Sequence, residues 1–181
     1  MRVISGKYKG RKLGGYQIKG TRPVTGRIRE AMFALINAYL EDAEVLDLFA
    51  GSGALGIEAL SNGAKKAVFI DNNVLMIKEL KKNISFIEEA VLVLQNDFRD
   101  INGCYDIIFL DPPYDSNYLE EALILIQAKH LLKEYGIIVI ASDNKSFSHQ
   151  FSVVKEKKYG RKKITILKKM EVAEDGKGPD C

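Results

Sequence analysis

Between residues 45 and 141, short continuous apolar runs alternate with stretches of helical periodicity, and few architectures accommodate that order. Residues 45–49, 67–70, 91–94, 107–110 and 137–141 read as strands. Residues 54–62, 75–87 and 119–132 read as helices, the first stopped by Gly63. A strand that is apolar at every position, rather than at alternate ones, has both faces buried. Such strands separated by helices build a parallel sheet covered on both sides. The expected fold is α/β and Rossmann-like, a mostly parallel twisted sheet with helices on both faces.

The flanks follow different rules. Residues 2–13 look extended, with Gly6 and Gly10 as turn points, which suggests a small N-terminal hairpin; 14–24 read as loop. From Thr25, a candidate cap, the residues Ile28, Met32, Leu35, Ile36, Tyr39 and Leu40 recur at helical spacing, with Arg27 and Glu30 elsewhere on the surface. Near the end, residues 151–157 and 163–167 flank Tyr159-Gly160 with no helix between them, the pattern of a closing antiparallel hairpin. Residues 171–181 carry little apolar content and are expected to be disordered. The division expected is a basic extension over 1–24, the main domain over 25–170 and a tail over 171–181.

At 181 residues, 46% hydrophobic and 28% charged, the chain suits one soluble globular domain. No apolar stretch approaches the roughly 18 residues of a membrane span. The opening MRVISGKYKGRK lacks a signal-peptide core, so a cytoplasmic location is expected. Cys104 and Cys181 offer neither metal-ligand spacing nor a disulfide framework and are expected to be unpaired thiols; no metal is expected. Charge is distributed unevenly. Residues 1–30 hold nine Lys or Arg against one acid, and residues 155–169 hold eight against one. Basic flanks around an acidic middle suit phosphate. Arg2, Lys7, Lys9, Arg11, Arg22, Arg27 and Arg29, interrupted by Tyr8 and Tyr16, point to RNA or DNA.

The first strand of the alternating region runs into Asp47-Leu-Phe-Ala-Gly51-Ser-Gly53-Ala-Leu-Gly56, a formal GxGxxG that usually cradles a pyrophosphate. Asp47 is an awkward neighbour for pyrophosphate and a natural one for a ligand ammonium. Asp71 ends the second strand, where an acid accepts from both hydroxyls of a ribose. A ligand with an amino-acid end, a ribose and no phosphate is S-adenosylmethionine. Asp97 after the third strand is placed to accept from an adenine amine, with Phe98 packed on the ring. Phe49, Gly51, Gly53 and Asn72 complete the expected donor site.

The fourth strand ends abruptly in Asp111-Pro112-Pro113-Tyr114. Prolines lack the N–H and fix φ, so the strand stops there and leaves a free carbonyl. A carboxylate (Asp111), a carbonyl (Pro112) and an aromatic ring (Tyr114) together suit a planar base with an exocyclic amine.

These residues resemble those of class I S-adenosylmethionine-dependent methyltransferases and, more narrowly, the RsmD family, bacterial enzymes that methylate the exocyclic N2 amine of a guanine in small-subunit ribosomal RNA. The resemblance runs from about Arg2 to Lys168, through MRVISGKYKGRKL, TRPVTGRIREAMFALI, VLDLFAGSGALGIEALSNGA, VFIDNN and IIFLDPPY. It implies S-adenosylmethionine as donor and small-subunit ribosomal RNA, or the ribosomal particle, as partner of a monomer. Gly26 departs from the acid usual in the family. Two alternatives stay open on the residues alone: a DNA amino-methyltransferase acting on adenine or cytosine, and a non-enzymatic RNA-binding or ribosome-assembly protein of this fold. A nicotinamide oxidoreductase fits least, because of Asp47.

Overall fold

The computed structural model describes residues 1–15, 25–113, 117–143 and 147–170. The tail expected over 171–181 lies outside the described residues. At the centre is a seven-stranded sheet. In chain order the strands are β1 (Glu44–Asp47), β2 (Lys66–Ile70), β3 (Ala90–Leu94), β4 (Tyr105–Leu110), β5 (Leu132–Asp143), β6 (Ser152–Tyr159) and β7 (Lys162–Lys168). They lie side by side as β3-β2-β1-β4-β5-β7-β6. The first five are mutually parallel, and β7 runs antiparallel to both β5 and β6. The helices are α1 (Gly26–Ile36), α2 (Ala54–Ser61), α3 (Val74–Asn83) and α4 (Tyr118–Ala128), with single 3-10 turns at Asn37–Tyr39 and Phe98–Asp100.

Alternation along each strand builds two cores. Val45, Ala67, Phe69, Ile107, Phe109 and Val139 face α1, α2 and α3, where Met32, Ile57 and Leu80 are buried. Leu46, Val68, Ile70, Ile108, Leu110 and Ile140 face α4, through Ala122, Leu123 and Ile126. Both faces are thus filled, which is why the strands read as unbroken apolar runs.

The N-terminal segment forms a hairpin-like loop. Val3 N–H donates to the Arg11 carbonyl, Gly10 N–H to Val3 and Leu13 N–H to Met1. Its ladder is a single bridge, Arg2 to Lys12. Val3, Tyr8 and Leu13 are buried in the same core as α1 and α2. Its anchor is Glu58 on α2, whose carboxylate accepts from the N–H groups of Ile4 and Ser5 at 2.8–3.0 Å.

Several element ends differ from the sequence reading. The fourth helix stops at Ala128 rather than 132, because His130 takes a left-handed φ of 52° and Leu132 already belongs to β5. The third helix stops at Asn83, whose side chain bonds the backbone of Gly14 and Ser52. Thr25 precedes α1 without a side-chain cap, and no acid lies in the first turn. Gly26 therefore leaves that helix end without the charge that favours an N-terminus. Cys181 lies outside the described residues.

The α2–β2 approach is closest at Gly56, where a Cβ would lie 2.2 Å from Cε1 of Phe69, itself fully buried. Gly56→Ala is expected to cost about 1–3 kcal/mol, the usual range for overpacking a filled core. Denaturant unfolding at constant slope would read the loss. An unchanged midpoint would mean that the ring moves freely.

Candidate active site

The strand order reverses between β1 and β4, and α/β sheets bind ligands in the crevice opened at the carboxyl ends of such a pair. Here that crevice is a cavity of about 350 Å³, within the range of small-molecule sites. Its walls come from the loops after β1, β2, β3 and β4. Of the expected donor residues, Asp47, Phe49, Gly51, Asp71, Asn72, Asp97 and Phe98 line it; so do Asp111 and Pro112 of the acceptor set. Gly53 does not. With φ of 82°, and a would-be Cβ 2.2 Å from Cδ1 of Leu80, it shapes the turn beneath the site instead.

Asp47 ends β1 and is 1% exposed. Its Oδ2 accepts from the Gly56 N–H at 3.0 Å, at the start of α2. Burial pushes its carboxyl up to about 7 against that hydrogen bond, and the nearby Asp111 and Asp71 push the same way. A cation entering the cavity would relieve this stress. Asp71 holds the glycine loop closed, since its two oxygens accept from Gly51 N–H and Asn73 N–H, each at 2.8 Å. Each carboxylate oxygen accepts more than one hydrogen bond, so acceptor capacity for a diol remains.

The far end of the cavity is aromatic. Phe98 lies 5.0 Å from Phe49 and 5.4 Å from Tyr118, ring centre to ring centre. Arg99 lies over the Phe98 ring at 4.6 Å, bonds Asp97 at 2.9 and 3.0 Å and pairs with Glu121. Asp97 is thus held by a cation, and Oδ1 also takes the Arg99 N–H. Tyr118, at the start of α4, escaped the sequence reading; the available signal was an aromatic four residues beyond the DPPY segment.

Asp111 follows β4 and is half-buried beside the buried Pro112. Burial raises its carboxyl to about 7, while Lys162 draws it down and Asp143 pushes it up. Those two residues face each other across β5 and β7, with Lys162 Nζ 3.5 Å from Asp143 Oδ1. Neither stood out in the sequence, because only the sheet order brings β7 near β4. Tyr114 lies outside the described residues.

The cations of the N-terminal region divide. Lys9, Arg11 and Arg27 are exposed, Arg11 lying over Phe86 at 5.2 Å. Arg2 is exposed and donates to the Gly10 carbonyl. Lys7 is committed to Glu88 and Glu89, both at 2.9 Å. Arg29, expected to contact RNA, is instead 2% exposed, because its guanidinium is drawn inward 3.3 Å from the buried Glu58 and bonds the Arg2 carbonyl. It lines the cavity from α1 and is unavailable to a phosphate outside. Arg22 lies outside the described residues. Among the described residues no cluster of His, Cys, Asp and Glu has metal-binding geometry.

The chain matches the family described as "Conserved hypothetical protein 95" over residues 1–168. It is 36% identical to the "Putative rRNA methyltransferase YlbH" of Bacillus subtilis, over 93% of this chain and 99% of the relative. It is also 36% identical to the ribosomal RNA small subunit methyltransferase D of Escherichia coli K12, over 79% and 75% of the two chains. Among solved structures, the "Putative methyltransferase yhhF from Escherichia coli" superposes with a TM-score of 0.83 at 31% identity, covering 94% of this chain and 99% of that one. An N-terminal segment, a glycine loop and a β4 tip that build one cavity, matched along nearly the whole chain by these relatives, show that the protein belongs to the RsmD family.

Proposed function

We propose that this protein transfers a methyl group from S-adenosylmethionine to the exocyclic N2 amine of a guanine in small-subunit ribosomal RNA. The observation that carries the reading is the shared cavity: Asp47 and Asp71 at one end of the crevice and Asp111 with Pro112 at its β4 rim line one space. The relatives named for ribosomal RNA methylation supply the substrate class.

The residues present fit the donor. Asp47 is a buried carboxylate awaiting a cation, Asp71 offers acceptors to a ribose, and the rings of Phe49, Phe98 and Tyr118 offer an apolar lining to a purine. Bound there, S-adenosylmethionine supplies an electrophilic methyl group on a sulfonium.

The rest falls to this chain's own groups. An aryl amine is a poor nucleophile because its lone pair is delocalised into the ring. Asp111 and the Pro112 carbonyl accept its two hydrogens and turn the lone pair towards the methyl carbon. As the N–C bond forms and the S–C bond breaks, the nitrogen must lose a proton. A carboxylate titrating near 7 is matched to take it. Tyr114 is assigned the stacking of the base, worth roughly 1–3 kcal/mol in single-strand sites. Most of the acceleration comes from alignment in a confined cavity. The target guanine must leave its stack to reach the crevice. The protein acts in this reading as a cytoplasmic monomer, with Arg2, Lys9, Arg11, Arg22 and Arg27 holding the RNA. Residues 1–24 serve as a substrate-side extension of the main domain over 25–170.

Transfer of labelled methyl from the donor to small ribosomal subunits, naked ribosomal RNA and duplex DNA tests the reading, with digestion of the product to nucleosides. N2-methylguanosine from the ribosomal substrates is the expected product. Label appearing only in DNA adenine or cytosine would overturn the assignment, as would donor binding with transfer to none of the three.

A further inference from the structure

We propose that the edge strand β6 and the β6–β7 turn form the surface that holds the phosphates of the RNA acceptor, through Lys155, Lys157, Lys158 and Arg161. This rests on the acceptor reading above and places its main electrostatic grip at the opposite end of the sheet from the N-terminal cations.

Topology sets the direction of approach. The donor half of the cavity is walled by the loops after β1, β2 and β3, so a base presented to Asp111 arrives from the β4 side. Beyond β4 lie β5, β7 and β6. Because β7 is antiparallel to both neighbours, Asp143 at the end of β5 sits opposite Lys162, and Lys162 opposite Tyr159. The β6–β7 turn therefore rises at the same sheet edge as Asp111. Three strand spacings separate β4 from β6, about 14 Å, a span that a few nucleotides bridge.

The charges there are available. Lys155, Lys157, Lys158 and Arg161 are all exposed. None of the four makes an ion pair with another described residue. The one acid on the strand, Glu156, is taken by Lys163 at 2.7 Å and by the Thr165 hydroxyl at 3.2 Å. Pairing opposite Ile166 and Ile164 puts Lys155 and Lys157 on the sheet face that carries α1, with Lys158, opposite Lys163, on the other face of the same edge strand. Two residues apart on a strand, Lys155 and Lys157 stand about 6.6 Å from each other, close to the spacing of successive phosphates in an extended nucleic-acid strand. Lys157 lies 5.9 Å from the Tyr159 ring centre, which adds an aromatic surface beside the cations. The N-terminal region, by contrast, commits Lys7 to two carboxylates and Arg29 to the interior. Lysines on an edge strand also discourage strand addition. That role alone predicts self-association on their removal and no change in RNA affinity.

The test is a direct titration of a fluorescent single-stranded RNA oligonucleotide with the full chain and with the variant K155Q/K157Q/K158Q/R161Q, across a range of salt. The expected result is an affinity at least about tenfold weaker and a log–log salt slope shallower by about 2–3, since each phosphate no longer neutralised removes roughly 0.7 from the slope. Melting temperature and donor binding should stay at wild-type values. A variant with wild-type affinity and slope would overturn the proposal. A wild-type protein that binds anionic vesicles but no RNA would overturn it too. Because the readout is RNA binding, it decides the surface even if ribosomal RNA proves not to be the methyl acceptor.

Discussion

Asp111→Ala is expected to lower methyl transfer by about 10³-fold while leaving donor affinity within a few-fold of wild type. Positioned acid–base groups contribute typically about 10²–10⁴-fold, and the proposed reaction gives Asp111 two tasks, accepting an amine hydrogen and receiving the departing proton. Donor binding should survive because Asp111 is one of the groups that raise the Asp47 carboxyl. Removing it lets Asp47 ionise more readily, which favours a cationic ligand. The wild-type rate should climb through about pH 7 and level off above it, since the ionised carboxylate is the active form. Stability of the ligand-free protein should move the other way. Asp47 and Asp111 are both raised from 3.8 to about 7, so between those values the folded chain binds more protons than the unfolded one. Stability then falls as pH rises through that window. Asp111→Asn should consequently melt no lower than wild type at pH 8, though nearly inactive. Single-turnover transfer and isothermal titration with the donor separate the effects; an alanine variant that still turns over rapidly would remove Asp111 from the chemistry.

Glu58→Ala is expected to destabilise the fold by about 3–5 kcal/mol, the range for breaking a buried ion pair from one side. Arg29 and Glu58 are 2% and 1% exposed, with Nε and Oε2 3.3 Å apart. The variant would leave the guanidinium buried without its counter-charge. It would also strip the acceptor from Ile4 N–H and Ser5 N–H, while the Ser5 hydroxyl keeps Asn62 Oδ1 at 2.9 Å. These two donors are half-buried, so their loss adds at most about 1 kcal/mol each. Arg29→Met should cost less, because Glu58 keeps those donors and methionine fills the space of the aliphatic stem. Chemical denaturation of the pair decides the order. Equal losses would mean that the hydrogen bonds to the N-terminal segment contribute nothing. Since Met1 and Arg29 both line the cavity, loosening this clasp should also weaken donor binding.

Most of the architecture was legible because it depends on local pattern. Unbroken apolar runs located β1 to β5, and Tyr159-Gly160 located the antiparallel return, with Gly160 at a φ of 61°. Boundaries moved where side chains remote in sequence intervened, as at Asn83, or where a residue took an unusual conformation, as at His130. That Asp47, Asp71, Asp97 and Asp111 line one crevice was legible because carboxyl ends of parallel strands converge on one edge. Arg29 was misread because charge in a sequence is counted without its partner, and Glu58 lies 29 positions further along the chain. Tyr118 and Lys162 did not stand out, since neither belongs to a motif and only the fold brings them near the crevice.

By itself the sequence determined the α/β class, the crevice at the ends of β1 and β4, and the carboxylates around it. Those properties follow from hydrophobic periodicity and from where prolines and glycines interrupt it. Only the tertiary structure decided which cations face outward, that Arg29 and Glu58 neutralise each other inside, and that β6 stands at the edge of the sheet beyond β4, β5 and β7. Those depend on the meeting of residues far apart in the chain, and burial sets whether a charge seeks a neighbour or water.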